Sequence, residues 1–303
     1  MYPADFPLSN VKSTHMAHPL DPHFEKLSQQ LEALVNRLEA ALPPAPPTTD
    51  WSAVAYRWRV QNGHRYLQAV KHVHKVSLTD LQNIDLQKQR LVENTRQFVN
   101  GKLANNVLLT GSRGCGKSSL VKAAWNEFRD TGLRLIEVDK AHLTDLPDIV
   151  ALIADRPENY LVFCDDLSFE EGDYGYQALK TALDGSIAAP SANVLIYATS
   201  NRRHLVPEYF SENEQTKHVG DEIHFAEAIE EKIALSERFG LWLSFYGFSQ
   251  EEYLTAVQHW LAQFGQTAWN ESVEREALNW ALGRGARSGR IAWQFARDWA
   301  GSH

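Results

Sequence analysis

Residues 111–118 read Gly111-Ser112-Arg113-Gly114-Cys115-Gly116-Lys117-Ser118, which fits the pattern glycine, any four residues, glycine, lysine, then serine or threonine. In a loop of this kind the glycines let backbone N–H groups turn inward toward phosphate oxygens. The lysine places a positive charge at the β- and γ-phosphates, and the serine hydroxyl can bind Mg²⁺. The alternative interpretation is a glycine-rich turn that binds nothing.

The residues on either side of the loop favour the first interpretation. Residues 107–110 form an apolar run typical of a buried strand, and residues 119–125 read as a helix. A strand–loop–helix order places phosphates at a helix N-terminus, where unpaired N–H groups and the helix dipole favour anions. We therefore predict a nucleotide site at Gly111, Ser112, Arg113, Gly114, Cys115, Gly116, Lys117, Ser118 and Ser119.

The composition is that of a globular protein, with 303 residues, 44% hydrophobic and 22% charged, enough for about two domains. A net charge of −8 argues against non-specific DNA binding by the whole surface but allows a local basic patch. The chain has only two cysteines, Cys115 and Cys164, and their spacing suggests neither a disulfide framework nor a zinc site, which favours a cytoplasmic location. They act either as a redox switch or as small side chains that fill the core. The first residues lack a secretory pattern, and no apolar run approaches the ~20 residues of a membrane span.

The N-terminal region begins with a predicted amphipathic helix over residues 23–42. Its apolar residues recur at three- and four-residue steps, as Phe24, Leu27, Leu31, Leu34, Val35, Leu38 and Leu42. The prolines of residues 43–47 end the helix and make a stiff, extended connector. The helix either binds a partner or oligomerises, or it packs on its own domain.

Residues 51–75 are basic and aromatic, without any acidic residue. Asn62-Gly63 predicts a β-hairpin turn, which would put Tyr56 and Trp58 on one face of a strand and Arg57 on the other. Basic residues beside aromatic ones can bind single-stranded nucleic acid through phosphate contacts and base stacking. A solvated basic face over an aromatic core explains the same pattern.

From residue 78 strands and helices alternate, which is typical of a parallel sheet covered by helices on both faces. We predict five strands, at residues 107–110, 133–138, 160–164, 194–198 and 241–245. After residue 248 only helices are predicted, and the first of them begins with a capping box at Ser249 and Glu252. The predicted domains are an N-terminal extension (1–77), an α/β nucleotide-binding domain (78–247) and a small helical lid (248–303).

Acidic and amide residues follow two of the predicted strands. Ligands of parallel sheets bind at the carboxyl ends of the strands, where Asp165, Asp166 and Asn201 would lie with the loop at 111–118. Asp165 is expected to bind Mg²⁺ together with Ser118, and Asp166 to polarise the attacking water. Asn201 would orient that water or sense the γ-phosphate. The alternatives are solvated carboxylates and a turn asparagine.

Two arginines are candidates for contacts to the phosphates. Arg238 precedes the fifth strand, from where it can reach the nucleotide site of a neighbouring subunit; a surface ion pair is the alternative. Arg290 lies in the first turn of the last helix, with Arg284 and Arg287 as nearby rivals.

The motifs resemble those of AAA+ ATPases in their order along the chain. The loop at 111–118, Asp165-Asp166, residues 199–201, residues 236–240 and residues 289–292 are similar to Walker A, Walker B, sensor 1, arginine finger and sensor 2. The resemblance covers roughly residues 78–301. It implies an α/β fold of AAA+ type, with a five-stranded parallel sheet in three layers and a helical lid. It also implies ATP and Mg²⁺ as ligands, and homo-oligomers in a ring or filament in which Arg238 acts in trans.

Other segments narrow the resemblance to one group of bacterial proteins. Residues 105–109, 165–170 and 197–205 are similar to the uncharacterised AAA+ family called domain of unknown function 815. Residues 81–85 resemble the AAA+ segment that packs on adenine, which makes Ile84 a nucleotide contact. The resemblance therefore implies a fold and a chemistry, while the protein or nucleic-acid partner stays open.

One departure from the AAA+ pattern concerns turnover. Most AAA+ proteins have Asp-Glu where this chain has Asp165-Asp166, and the shorter aspartate places its carboxylate farther from the attacking water. We expect a slow ATPase, with Glu170 or Glu171 as substitutes for Asp166. Initiator and helicase-loader relatives with Asp-Asp act as slow ATP switches.

The function predicted is Mg-ATP hydrolysis coupled to remodelling or loading of a macromolecular partner. One rival is an ATP-gated loader or scaffold with negligible turnover. Another is a P-loop kinase or GTPase, but the chain has no Asn-Lys-x-Asp guanine motif, and a small-molecule kinase has no obvious use for the sensor arginine and helical lid. An ABC transporter is disfavoured because no Leu-Ser-Gly-Gly signature is present.

Overall fold

The computed structural model describes residues 22–41, 47–169, 174–184, 191–201 and 235–303. Within this part of the chain, no helix is both long and apolar enough to cross a membrane. The chain divides into two compact units, residues 1–46 and 47–303. In the first unit the predicted helix is confirmed as α1 (Pro22–Ala41), and its apolar side chains from Phe24 to Val35 are exposed.

The second unit contains the α/β core and the helical lid. Its strands are β1 (Ala55–Gln61), β2 (His64–Ala69), β3 (Val107–Gly111), β4 (Leu133–Val138), β5 (Asn159–Cys164), β6 (Val194–Ser200) and β7 (Leu241–Phe245). Its helices are α2 (Asp85–Val99), α3 (Lys117–Phe128), α4 (Leu146–Ile153), α5 (Tyr174–Asp184), α6 (Gln250–Gln263), α7 (Glu271–Gly283) and α8 (Gly289–Ser302). The sequence also predicts a helix from about residue 225, and most of it lies outside the described residues.

The strands form one sheet in the order β2-β1-β4-β5-β6-β3-β7. The five predicted parallel strands are confirmed as β3 to β7. The sheet has two more strands than predicted, because β1 pairs in parallel with β4 and antiparallel with β2. The predicted boundary after residue 77 therefore falls between strands of a single sheet.

The β1–β2 hairpin turns at Asn62-Gly63, where both residues have positive φ, of 52° and 78°. Positive φ at both central positions is the type I′ geometry that matches the twist of the strands. Trp58 faces the core, and its indole N–H donates to Asp145 at 2.9 Å. Two arginines of this hairpin have acidic partners, since Arg57 contacts Glu137 at 2.6 Å and Arg65 contacts Asp145 at 3.0 Å.

Helices cover both faces of the sheet, which gives the three layers predicted. Successive side chains of a strand point to opposite faces, so Leu109 and Phe163 pack with α2 and α3 while Leu108 and Val162 pack with α4 and α5. The lid helices α6, α7 and α8 have a separate core around Tyr253. The predicted capping box is present at the start of α6.

Candidate nucleotide-binding site

A cavity of about 790 Å³ lies between the carboxyl ends of β3, β5 and β6 and the lid. The P-loop (residues 111–118) and the start of α3 form its floor, Asp165, Asp166 and Asn201 form one wall, and residues of α6 and α8 form the opposite wall. The site therefore has the position that parallel α/β sheets use for ligands.

Two glycines give the P-loop its shape. Gly116 has a φ of +94° and precedes Lys117, the first residue of α3. Gly114 has a φ of +77°, and a Cβ there would lie 2.7 Å from the hydroxyl of Ser288 in the lid. A side chain at either position would be strained, and at residue 114 it would also displace the lid from the loop.

Lys117 is buried, with only 6% of its surface exposed. Its ammonium donates to the carbonyl oxygens of Gly111 and Ser112, at 2.7 and 2.8 Å, and to Oδ1 of Asn201 at 3.0 Å. Burial lowers the pKa of Lys117, against the opposing effects of Cys115, Asp166 and Asp165. The three oxygen acceptors hold the positive charge at the cavity floor, where phosphates would bind.

Ser118 and Asp165 are in direct contact, as predicted for a shared magnesium site. The Ser118 hydroxyl donates to Oδ1 of Asp165 at 2.6 Å, and the Thr199 hydroxyl donates to the same oxygen at 2.6 Å. Mg²⁺ in nucleotide sites is held by one or two protein oxygens together with phosphates and water, so this pair fits the ion. Among the described residues, no group of three or more acidic, histidine or cysteine side chains offers an all-protein metal site.

Asp166 has an unusual backbone, with a φ of +55°. Its N–H donates to the Thr199 hydroxyl at 2.9 Å, and its carboxylate accepts a hydrogen bond from the Asn201 amide. Asn201 thereby connects Asp166 to Lys117. A non-glycine residue in the left-handed region persists only where its surroundings hold it, and such residues concentrate at functional sites.

Part of the cavity lining is apolar and aromatic. Ile84, which was predicted to contact the nucleotide, lines the cavity with 4% of its surface exposed, and its side chain approaches Gly116. Trp260 and Trp293 line this cavity from the lid, and Arg290 lies beside them with its backbone N–H donating to the Gly114 carbonyl at 3.1 Å. Apolar and cationic residues in the lining of one cavity suit a base attached to phosphates.

The structure does not bring every predicted residue to the cavity. Gly111 is paired with Phe245 of β7, and the Ser112 N–H donates to the Phe245 carbonyl, so both residues face the neighbouring strand. Arg238 contacts Asp184 at 2.6 Å, away from the cavity of its own chain. Arg113, Cys115 and Ser119 do line it, whereas the rival arginines Arg284 and Arg287 do not. Glu170 and Glu171 lie outside the described residues.

Sequence reasoning missed Thr199 and the two lid tryptophans. Thr199 is 1% exposed and contacts both aspartates, but a threonine at the end of a strand carries no sequence signal for that role. Trp260 and Trp293 read as core residues of amphipathic helices, because helical spacing alone does not show which tryptophan borders a cavity. His74 and Lys75, after the hairpin, also line the cavity.

A family model described as protein of unknown function (DUF815) matches residues 51–303. The chain belongs to this family. The match covers the hairpin, the α/β core and the lid, so the DUF815 region of this chain includes every residue that lines the cavity. No curated protein matches the chain.

Solved structures with the same fold include RuvB of Thermotoga maritima. Two single-residue variants of that RuvB each have a TM-score of 0.50 and 15% identity over 74% of this chain. This chain covers 63% of one variant and 64% of the other, so it spans less than two thirds of these neighbours. The likeness confirms the predicted AAA+ type P-loop core, and at this identity it concerns the fold alone.

Proposed function

We propose that this DUF815 protein binds and hydrolyses Mg-ATP and couples the hydrolysis to movement of its lid against a macromolecular partner. The observation that carries this proposal is that two groups of hydrogen-bonded side chains line the same cavity, one around Asp165 and one around Asp166. Ser118 and Thr199 hold Asp165, while Asn201 joins Lys117 to Asp166. Together they present a cation, a magnesium ligand and a carboxylate for water within a site closed by the lid.

Each side chain has a distinct part in this proposal. Lys117 exchanges its contacts with carbonyl oxygens and Asn201 for phosphate oxygens, and the first turn of α3 donates N–H groups to the same anion. Asp166 accepts a proton from the attacking water, and Asn201 orients that water once Lys117 turns to the phosphates. Mg²⁺, when bound at Ser118 and Asp165, would neutralise charge on the phosphates.

Arg238 completes the site from a neighbouring subunit in a ring or filament. Support comes from its place outside the cavity of its own chain. Its ion pair with Asp184 has to open before the guanidinium contacts a phosphate. An arginine supplied in trans typically accelerates phosphoryl transfer by about 10³- to 10⁵-fold. We place the protein in the cytoplasm, in keeping with two unbridged, buried cysteines.

Phosphate release from ATP tests the proposal directly. We expect Mg²⁺-dependent release by the wild type and release at background level by Lys117→Ala. Lys122→Ala, on the same helix but contacting Glu137 at 3.7 Å, is the matched control and should keep wild-type turnover. Phosphate release that survives in Lys117→Ala would exclude this cavity as its source.

A mixing experiment tests the shared site. Arg238→Ala and Lys117→Ala proteins should each be inactive alone, and mixing them should restore turnover, because a Lys117→Ala subunit still supplies Arg238 to its neighbour. Full activity of a strict monomer would contradict the role of Arg238 in trans.

The second candidate function is an ATP-gated loader or scaffold with negligible turnover. It is favoured by Asp166, which has a shorter side chain than glutamate and is tied to Asn201. In that case ATP binds with Lys117-dependent affinity, and phosphate release by the wild type does not exceed that of Lys117→Ala.

A further inference from the structure

The C-terminal part of the lid is a basic and aromatic segment in an acidic protein. From residue 277 to residue 297 the sequence contains four arginines and no aspartate or glutamate, although the whole chain has a net charge of −8. The same segment contains Trp280 and Trp293. Only Arg290 of the four arginines lines the nucleotide cavity, so the proposed ATPase leaves most of this charge without a role.

The structure gathers part of this segment into a surface groove of about 730 Å³ between α7 and α8. Two arginine–tryptophan pairs line it. The Arg284 guanidinium lies over the Trp280 ring, 3.6 Å from the ring centre, and the Arg297 guanidinium lies 5.2 Å from the centre of the Trp293 ring. The other polar residues that line the groove are Gln294, Ser302 and one carboxylate, Asp298.

Within the described residues, neither Arg284 nor Arg297 forms a salt bridge, which distinguishes them from Arg57 and Arg65 of the β1–β2 hairpin. On the hairpin, Arg57 and Arg65 contact the carboxylates of Glu137 and Asp145. An arginine neutralised by a carboxylate has to lose that partner before it binds a phosphate. The groove arginines are exposed and need no such exchange.

We propose that this groove binds single-stranded nucleic acid. Guanidinium groups contact backbone phosphates, and both tryptophan rings and guanidinium planes offer flat surfaces on which bases stack. Arg284 over Trp280 forms such a surface, and Arg284 is exposed. An anionic chain with planar bases fits two cations and two indoles better than a purely acidic peptide, which has no group to stack.

Trp293 lies between this groove and the nucleotide cavity, since its side chain lines both. Arg290, one turn earlier on α8, faces the cavity. A strand seated in the groove therefore contacts the helix that bears the proposed ATP-binding arginine. This coupling rests on the proposed function, whereas binding of the strand does not.

Fluorescence anisotropy with labelled oligo(dT) and oligo(U) of equal length, on the full chain without nucleotide, tests the proposal. The variant Arg284→Gln/Arg297→Gln should raise the Kd by about tenfold or more and lower the slope of log Kd against log salt by about one to two. Arg57→Gln/Arg65→Gln removes equal charge from the hairpin, where both arginines contact carboxylates, and should stay within about twofold of the wild type. Circular dichroism checks that each variant is folded.

A second variant separates stacking from charge. Arg297→Lys keeps the cation and loses the planar guanidinium, so its Kd should lie between those of the wild type and the double glutamine variant. A preference for one oligonucleotide identifies DNA or RNA as the ligand. The proposal is overturned if neither oligonucleotide binds at low salt, or if the two double variants lose equal affinity for the oligonucleotides. It is also overturned if polyglutamate competes as strongly as either oligonucleotide. Since ATP is absent, failure here leaves the ATPase proposal standing.

Discussion

The two sides of the nucleotide cavity are built differently. On the sheet side Lys117 and Thr199 are buried, and short hydrogen bonds join them to Asn201 and Asp165. On the lid side Arg290 is exposed and contacts the P-loop through one backbone hydrogen bond to Gly114. Buried, cross-linked groups keep their geometry, whereas an exposed side chain such as Arg290 can move at small cost. We infer that the sheet side carries the chemistry and the lid side controls binding and release.

The largest effect is expected on the sheet side, for Asp165→Asn. The amide oxygen of asparagine can still accept from Ser118 and Thr199, so the local fold is kept while the charge that would bind Mg²⁺ is lost. Phosphate release should fall by about 10²- to 10³-fold, as measured over a range of Mg²⁺ concentrations. Asp155→Asn, at an exposed carboxylate beyond α4, is the control. Equal turnover in the two variants would remove Asp165 from the metal site.

A smaller loss is expected for Thr199→Val, which keeps the shape of the side chain and removes its hydroxyl. Asp165 then loses a donor and the Asp166 N–H loses its acceptor. We expect turnover to fall by about tenfold, in line with the ~1–3 kcal/mol cost of an unpaired buried polar group. KM for ATP should change less than kcat, because the hydroxyl acts through the aspartates.

The matched Thr199→Ser variant keeps the hydroxyl and should recover most of the lost turnover. If Thr199→Ser is as slow as Thr199→Val, packing of the threonine methyl group explains the loss instead. That result would weaken the idea that the hydroxyl positions both aspartates.

On the lid side, Arg290→Ala should raise KM for ATP by about tenfold and leave kcat within a few-fold of the wild type. Arg287→Ala is the control, because Arg287 lies three residues earlier and does not line the cavity. Steady-state phosphate release at varied ATP gives both constants. A large fall in kcat with unchanged KM would show that the lid takes part in the chemistry. It would contradict the proposal that the sheet side carries the chemistry and the lid side controls binding and release.

The smallest effect concerns the cysteines beside the site. Burial raises the pKa of Cys115 and raises that of Cys164 to about 12. A thiol with the higher value is ionised to only about one part in 10⁴ at pH 8, so we expect both thiols of the folded protein to resist iodoacetamide at pH 8. Both should react in denaturant. Fast alkylation of Cys115 in the folded protein would instead favour the interpretation that this cysteine acts as a redox switch.

The sheet side could be predicted from sequence far better than the lid side. Ser118 and Asp165 follow from a loop pattern and from an apolar strand that ends on acids, and the parallel sheet brings their ends together. The contacts of Thr199 depend on which strand lies next to β5, and the sequence does not show this. The position of Trp293, which borders both the cavity and the groove, depends on how α8 packs. The hairpin of β1 and β2 was predicted, but its place in the main sheet was missed, because the pairing of β1 with β4 joins residues about 80 positions apart.

The most direct test of the central claim measures bound ATP and released phosphate in the same sample for three proteins. The wild type should bind and hydrolyse ATP, Asp166→Asn should bind ATP with near-normal affinity and release phosphate at least about 100-fold more slowly, and Lys117→Ala should do neither. This pattern would place both binding and hydrolysis in the cavity described. Equal phosphate release by the wild type and Asp166→Asn, with ATP bound equally, would contradict the assignment of Asp166, and equal release by Lys117→Ala would contradict the claim that this cavity is an ATPase site.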